Sequence, residues 1–230
     1  VAMKKKTAEE IGFGYKDVIF DDNVTTEEVV DVIKKLNEDN DMAGIIVQLP
    51  LPPQFDKQAI LDAVSPEKDV DVLGSVASEF FYSNKSTLAL PTANAVMKIL
   101  EQISVDFNDK KLVILGQGPL VGKPVSHLLM NQGIVHDVVT KKTEETLKMD
   151  LIRNADILIS AMGVPYAISA DMVKEGVIII DAGTSEMEGS IVGDVDFASV
   201  GSKASYITPT PGGVGAVTVA CLFEYVLQVA

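Results

Sequence analysis

The sequence predicts an α/β protein of two lobes. Three observations predict it. Short apolar runs of strand length alternate with amphipathic segments of helical period. A cluster of glycines stands between one such run and the next helical pattern. Proline and charge patterns change near residue 91, and the chain closes on one long apolar helix. Alternation of this kind implies a parallel sheet with helices on both faces.

The elements follow in order. "TTEEVVDVIKKLNE" carries Thr25 with Glu28 three later, a capping-box pattern, and Val29, Val32, Ile33 and Leu36 at helical spacing. "MAGIIVQLPLPP" reads as a buried strand that Pro50, Pro52 and Pro53 stop. "KQAILDAV" reads as a helix and "SPEKDVDVLG" as a loop, and "TANAVMKILEQI" is a helix from near Thr92. "KKLVIL", "VHDVVT", "DILISA" and "GVIIIDA" are four short strands with helices between them. "VTVACLFEYVLQV" is an apolar helix entered through "PTPGGVG". Residues 1–91 form the first lobe, to which residues 212–230 return, and residues 92–211 form the second.

Composition limits the partners. The 230 residues suffice for two small domains with cores, and a 47% hydrophobic fraction fits a folded chain. A net charge of −14 argues against a nucleic-acid surface, which needs clustered Lys and Arg. No apolar run is long enough to span a bilayer, and the start "VAMKKKTAEE" lacks a signal core. Cys221 is the single cysteine, which suits a reducing cytosol, so a cytoplasmic location is expected. No Cys/His/carboxylate spacing suggests a metal site, and no G-x-S-x-G elbow suggests a serine nucleophile.

Gly116, Gly118 and Gly122 follow "LVIL", and Pro124 sits where a helix would begin. Glycine lets a backbone approach a pyrophosphate, and the helix start offers N–H groups and a positive dipole end. The G-x-G-x-x-x-G spacing is one residue longer than the usual fingerprint. Without a ligand the same pattern is a tight strand–helix turn, but its βαβ setting favours a dinucleotide, hence a Rossmann-like second lobe. The next strand ends "VVTKKT", with Lys141 and Lys142 where an NAD site usually places an acid. Two ammonium groups suit a 2′-phosphate, so NADP is expected over NAD; the alternative is two solvated loop lysines. Gln117 is uncharged and decides nothing.

"GIIVQLPLP", "PEKDVD", "LGQGPLVGKPVSHLL", "ADILISAMGVP", "VKEGVIIIDAG", "GDVDF" and "ITPTPGGVGAVT" occur in this order. In that order they resemble the methylenetetrahydrofolate dehydrogenase/cyclohydrolase family over nearly the whole chain. The resemblance implies a cytosolic homodimer of two-lobed subunits, a folate site in the first lobe and NADP on the second. It implies two reactions: oxidation of methylenetetrahydrofolate by NADP to the methenyl cation, and hydrolysis of that cation to formyltetrahydrofolate. These belong to the one-carbon metabolism that serves purine biosynthesis. It assigns Lys4 as the catalytic lysine, with Gln48 and Asp71 serving both catalysis and folate binding. Pro211, Gly212 and Gly213 join the substrate set. Gly116, Gln117, Gly118, Gly122 and Thr184 join Lys141 and Lys142 in the cofactor set.

Four departures accompany the resemblance. Val72 replaces the glycine of "KDVDG", "LPTA" (Leu90 to Ala93) replaces "PCTP", Gln117 and Gly118 replace Arg-Ser, and Ala216 replaces a proline. The family also has a strand, a helix and a tyrosine ahead of the lysine, so a truncated or partial sequence is expected. Two alternatives stay open: a dehydrogenase with little cyclohydrolase activity, and a non-catalytic dinucleotide-binding scaffold.

The chemistry fits these residue types. An aspartate can grip the pterin's amino edge, and a lysine can handle the proton of an attacking water. A glutamine amide can orient that lysine without neutralising it. Other readings compete: lysines in a basic run are commonly solvated, and Gln48 needs only a structural partner. Asp71 or Asp69 could cap the next segment. Asp194 reads as a turn or cap, and His127 and His136 as packing or surface residues.

Overall fold

A computed structural model describes residues 2–21 and 23–230. The chain forms two compact units, Val1–Pro91 with Val219–Ala230, and Thr92–Thr218. The returning segment therefore starts at Val219; residues 212–218, expected with the first lobe, pack with the second.

The first unit contains helices α1 (Ala2–Ile11), α2 (Thr26–Glu38), α3 (Lys57–Asp62) and α4 (Ser75–Tyr82). Helix α2 starts in a full capping box: Thr25 Oγ1 accepts from the Glu28 N–H, and Glu28 Oε2 accepts from the Thr25 N–H. Its apolar stripe buries Val29 and Ile33 against Ile45, Ile60 and Val64, each burial contributing about 1.5–3 kcal/mol. The strand expected at residues 42–49 is reduced to one parallel bridge between Ile45 and Asp69, made by the Ile45 N–H and the Lys68 carbonyl at 2.8 Å. Residues 68–69 are its only ladder partner among the described residues, so one bridge is all the segment gains before Pro50. Helices α1 and α4 went unpredicted; α1 has no strong apolar stripe to reveal it. The end of the chain packs into this unit through the rings of Phe13 and Phe223 and through the Tyr225 hydroxyl, which accepts from the Ala89 N–H.

The second unit opens with α5 (Pro91–Gln102) and continues β1 (Leu112–Leu115), α6 (Gly122–Asn131), β2 (Asp137–Val139), α7 (Glu145–Asn154) and β3 (Ile157–Ser160). It goes on with β4 (Ile178–Asp181), β5 (Ser185–Met187), β6 (Ser190–Val192), α8 (Phe197–Val200) and β7 (Tyr206–Ile207). Helix α9 (Val214–Val229) ends the chain. Five strands form a parallel sheet in the order β2-β1-β3-β4-β7, and β5 and β6 form a separate antiparallel hairpin. Strands β1 and β3 are buried at every residue, as parallel strands covered on both faces require. Val113, Leu115, Leu158 and Ile179 share one core with Ile152 of α7. Strand order reverses between β1 and β3, because β1 is followed in sequence by a strand on one side and then by one on the other. Ligands of open α/β sheets bind at such a switch point, beyond the carboxyl ends of the strands.

Candidate functional site

The glycine loop leaves β1 at this switch point. Gly116 has φ +98°, and a Cβ there would strike the Ala161 carbonyl; one on Gly122 would strike the Gly116 carbonyl. Both glycines are thus demanded by the turn itself. Gly118 faces open space, so a close backbone turn does not account for it. No side chain among the described residues caps the start of α6.

At the end of β2, the Thr140 N–H donates to Thr143 Oγ1 and the Lys142 N–H to Thr140 Oγ1, which builds a tight turn. The turn presents Lys141 and Lys142, both exposed and without an ion-pair partner among the described residues. The Gly116 N–H donates to the Val139 carbonyl, tying this turn to the glycine loop. Thr184 is exposed three residues beyond β4. The candidate cofactor residues therefore follow the carboxyl ends of β1, β2 and β4.

In the first unit, helix α1 carries Lys4 toward the "VQLP" turn. Lys4 Nζ lies 3.4 Å from Gln48 Oε1, and Gln48 Nε2 donates to the Leu49 carbonyl at 2.8 Å. That second bond turns the amide so that its oxygen faces the lysine. Gln48 itself is exposed, not buried as the apolar run around it suggested. The Leu49–Pro50 peptide is cis. The neighbouring lysines face elsewhere: Lys5 pairs with Asp17 at 3.4 Å and Lys6 with Glu10 at 3.7 Å.

Asp71 sits in the turn after the Ile45–Asp69 bridge. Burial pushes its carboxyl up to about 6; Lys4 pulls the other way, and Asp69 adds to the rise. Asp69 is buried and accepts from the Leu73 and Gly74 N–H groups at 2.9 and 2.7 Å, so it organises the turn that presents Asp71. Val72 has φ 57°, in the left-handed region that favours glycine, and its side chain is buried. This is the position where the resemblance expects glycine. The strain, about 1–3 kcal/mol, is opposed by that burial and by the two bonds to Asp69.

Lys4, Gln48 and Asp71 thus come together within one unit. Pro211, Gly212 and Gly213 lie in the other unit, after a second cis peptide, Thr210–Pro211. Of the two histidines, His136 bonds Ser126 Oγ at 2.7 Å and the Ile134 carbonyl, a packing role. His127 bonds Asn131 on the next turn of α6. Among the described residues, no group of three His, Cys, Asp or Glu is placed to hold a metal ion. Sequence reasoning missed the depth of Asp181 and Asp194, both buried and both bonded to loop N–H groups. A signal was present: "DAG" and "GD" place a glycine within two residues of each aspartate.

Fold and geometry define a two-unit α/β protein with a dinucleotide-type glycine loop in one unit and a lysine–amide–carboxylate group in the other. The chain belongs to the tetrahydrofolate dehydrogenase/cyclohydrolase family: the catalytic-domain model matches residues 1–71 and the NAD(P)-binding-domain model residues 90–230. The bifunctional protein FolD of Clostridium tetani is 36% identical over 229 residues, covering 100% of this chain and 82% of that protein. The Campylobacter jejuni FolD methylenetetrahydrofolate dehydrogenase/cyclohydrolase structure superposes with a TM-score of 0.91 at 38% identity, covering 99% of this chain and 81% of that one. The Trypanosoma brucei enzyme, solved with NADP cofactor and an inhibitor, also gives 0.91, at 37% identity and with 99% and 80% covered.

Proposed function

We infer that the chain is a bifunctional enzyme of one-carbon metabolism. It oxidises methylenetetrahydrofolate with NADP and hydrolyses the resulting methenyltetrahydrofolate to formyltetrahydrofolate. The observation that carries this reading is the Lys4–Gln48 contact with Asp71 beside it, in a chain whose other unit belongs to an NAD(P)-binding family.

The residues present fit a dinucleotide: an uncapped helix start, a glycine open to solvent, and two unpaired ammonium groups beyond adjacent strands. Gly116, Gln117, Gly118, Gly122 and Thr184 would hold it, with Lys141 and Lys142 on the 2′-phosphate. When bound, it supplies the hydride acceptor. Asp71 accepts hydrogen bonds from the pterin's amino edge and orients the ring. Gln48 holds Lys4 Nζ in place, and Lys4, as the neutral amine, takes the proton of the water that adds to the methenyl carbon.

Methenyltetrahydrofolate supplied directly tests the hydrolytic half. Its decay should be faster with protein than in buffer alone; equal rates would refute a cyclohydrolase. The dependence on pH tests Asp71. Its carboxylate form, which accepts the pterin N–H groups, prevails above pH about 6. Folate affinity should therefore rise with pH through that value and weaken about tenfold per pH unit well below it. The step should vanish in Asp71→Asn.

The reading places the enzyme in the cytoplasm, as a homodimer, with its product feeding purine biosynthesis. Family resemblance supports the dimer, and no helix among the described residues is long and apolar enough to cross a membrane. Light scattering at micromolar concentration should give twice the chain mass; the mass of one chain would refute the dimer.

A further inference from the structure

We propose that Asp194 is a positioning residue for the dinucleotide: with Asp181 it clasps the loops that leave β3 and β4 at the end of the sheet where the cofactor binds. The proposal rests on the dinucleotide reading above and concerns residues that reading does not use.

Asp194 is fully buried. Its Oδ2 accepts from Ser160 Oγ and from the Met162 N–H, both at 2.7 Å, and its Oδ1 from the Val164 N–H at 2.8 Å. Ser160 ends β3, and Met162 and Val164 belong to the loop that follows. Asp181 ends β4 and is also buried. Its Oδ1 accepts from the Gly183 and Asp194 N–H groups at 2.9 and 3.2 Å, and its Oδ2 from the Val195 N–H at 3.0 Å. The Asp181 N–H in turn donates to Thr208 Oγ1, just past β7. The carboxyl ends of β3 and β4 are thus joined through two carboxylates, and the Asp181 backbone N–H ties on the end of β7.

The glycines are shaped to the clasp. A Cβ on Gly183 would overlap the Asp194 carboxyl, and one on Gly193 would overlap Asp181 Oδ2. Among the described residues neither carboxylate bonds a lysine or arginine; their partners are N–H and O–H groups. Burying carboxylates without a cation is costly, and apolar residues would fill the space more cheaply. What carboxylates provide is direction: several donors fixed at once on two loops.

Those loops adjoin the glycine turn. The Ala161 N–H donates to the Leu115 carbonyl at 2.8 Å, and the Ala161 carbonyl is the atom that forbids a side chain on Gly116. Met162, held by Asp194, is the next residue. Gly183, held by Asp181, precedes Thr184. The clasp therefore reaches the cofactor set on both sides without belonging to it.

Asp194→Asn replaces one acceptor oxygen with an amide N–H that faces a donor, and Ser160→Ala removes a single donor. NADP Kd, the KM and kcat of the dehydrogenase, and the melting temperature are measured for both. In Asp194→Asn, below its melting temperature, Kd and KM for NADP should rise at least about tenfold, with kcat at saturating NADP changed less than about threefold. Ser160→Ala should show the same split with a smaller rise in Kd, and it decides the matter alone if Asp194→Asn does not fold. A lowered melting temperature with an unchanged Kd would overturn the proposal. Wild-type protein that binds no dinucleotide would overturn the functional reading and this proposal together; wild-type binding that Ser160→Ala and folded Asp194→Asn both retain overturns the proposal alone.

Discussion

Lys4→Met should abolish methenyl hydrolysis and spare part of the dehydrogenase turnover. Methionine keeps most of the side-chain volume and removes the amine. General acid–base assistance is worth about a hundredfold to ten-thousandfold, so the loss should be large. Hydride transfer depends mainly on how the two rings are positioned, which the amine does not set alone. The three consecutive lysines make the test specific. Lys4 meets Gln48, whereas Lys5 and Lys6 pair with Asp17 and Glu10. Lys5→Met is therefore the control and should leave both activities intact. Unchanged hydrolysis in Lys4→Met would make Lys4 a surface lysine and return attention to Lys5 and Lys6.

The double variant Lys141→Ala, Lys142→Ala should weaken NADP and spare NAD. A charge-assisted hydrogen bond to phosphate is worth about 1.5–3 kcal/mol, a factor of about ten or more in Kd. NAD lacks the 2′-phosphate and should lose little. The Thr140–Thr143 turn fixes the backbone beneath both lysines, and no ion pair among the described residues competes for them. An equal fall in affinity for the two cofactors would show that the lysines do not read the 2′-phosphate.

The second unit was the more legible in sequence. Its inner strands are continuous apolar runs bounded by glycine and charge, and a parallel sheet needs them so. Strand β7 escaped because it has two residues, and the β5–β6 hairpin because its residues are mixed and largely exposed. The first unit misled more. "GIIVQLP" has the composition of a strand, but strand structure depends on a ladder partner that composition does not reveal. At the site, Lys4, Gln48, Asp71 and the glycine loop were legible through specific motifs. Asp194 was read as a turn or cap, which names its bonds to loop N–H groups but not its burial beside Asp181. Two buried acids 13 residues apart look like ordinary turn acids until the fold brings them together. Val72 was legible only as a departure; its positive φ explains why that position favours glycine.

The most direct measurement follows both steps in one cuvette, by mixing the protein with methylenetetrahydrofolate and NADP and recording NADPH and methenyltetrahydrofolate together. A bifunctional enzyme should form NADPH while the methenyl intermediate stays low and formyltetrahydrofolate accumulates. NADPH formed in step with methenyltetrahydrofolate, which then decays no faster than in buffer, would leave a dehydrogenase alone. No NADPH from protein that binds both ligands would contradict catalysis and leave a dinucleotide-binding scaffold.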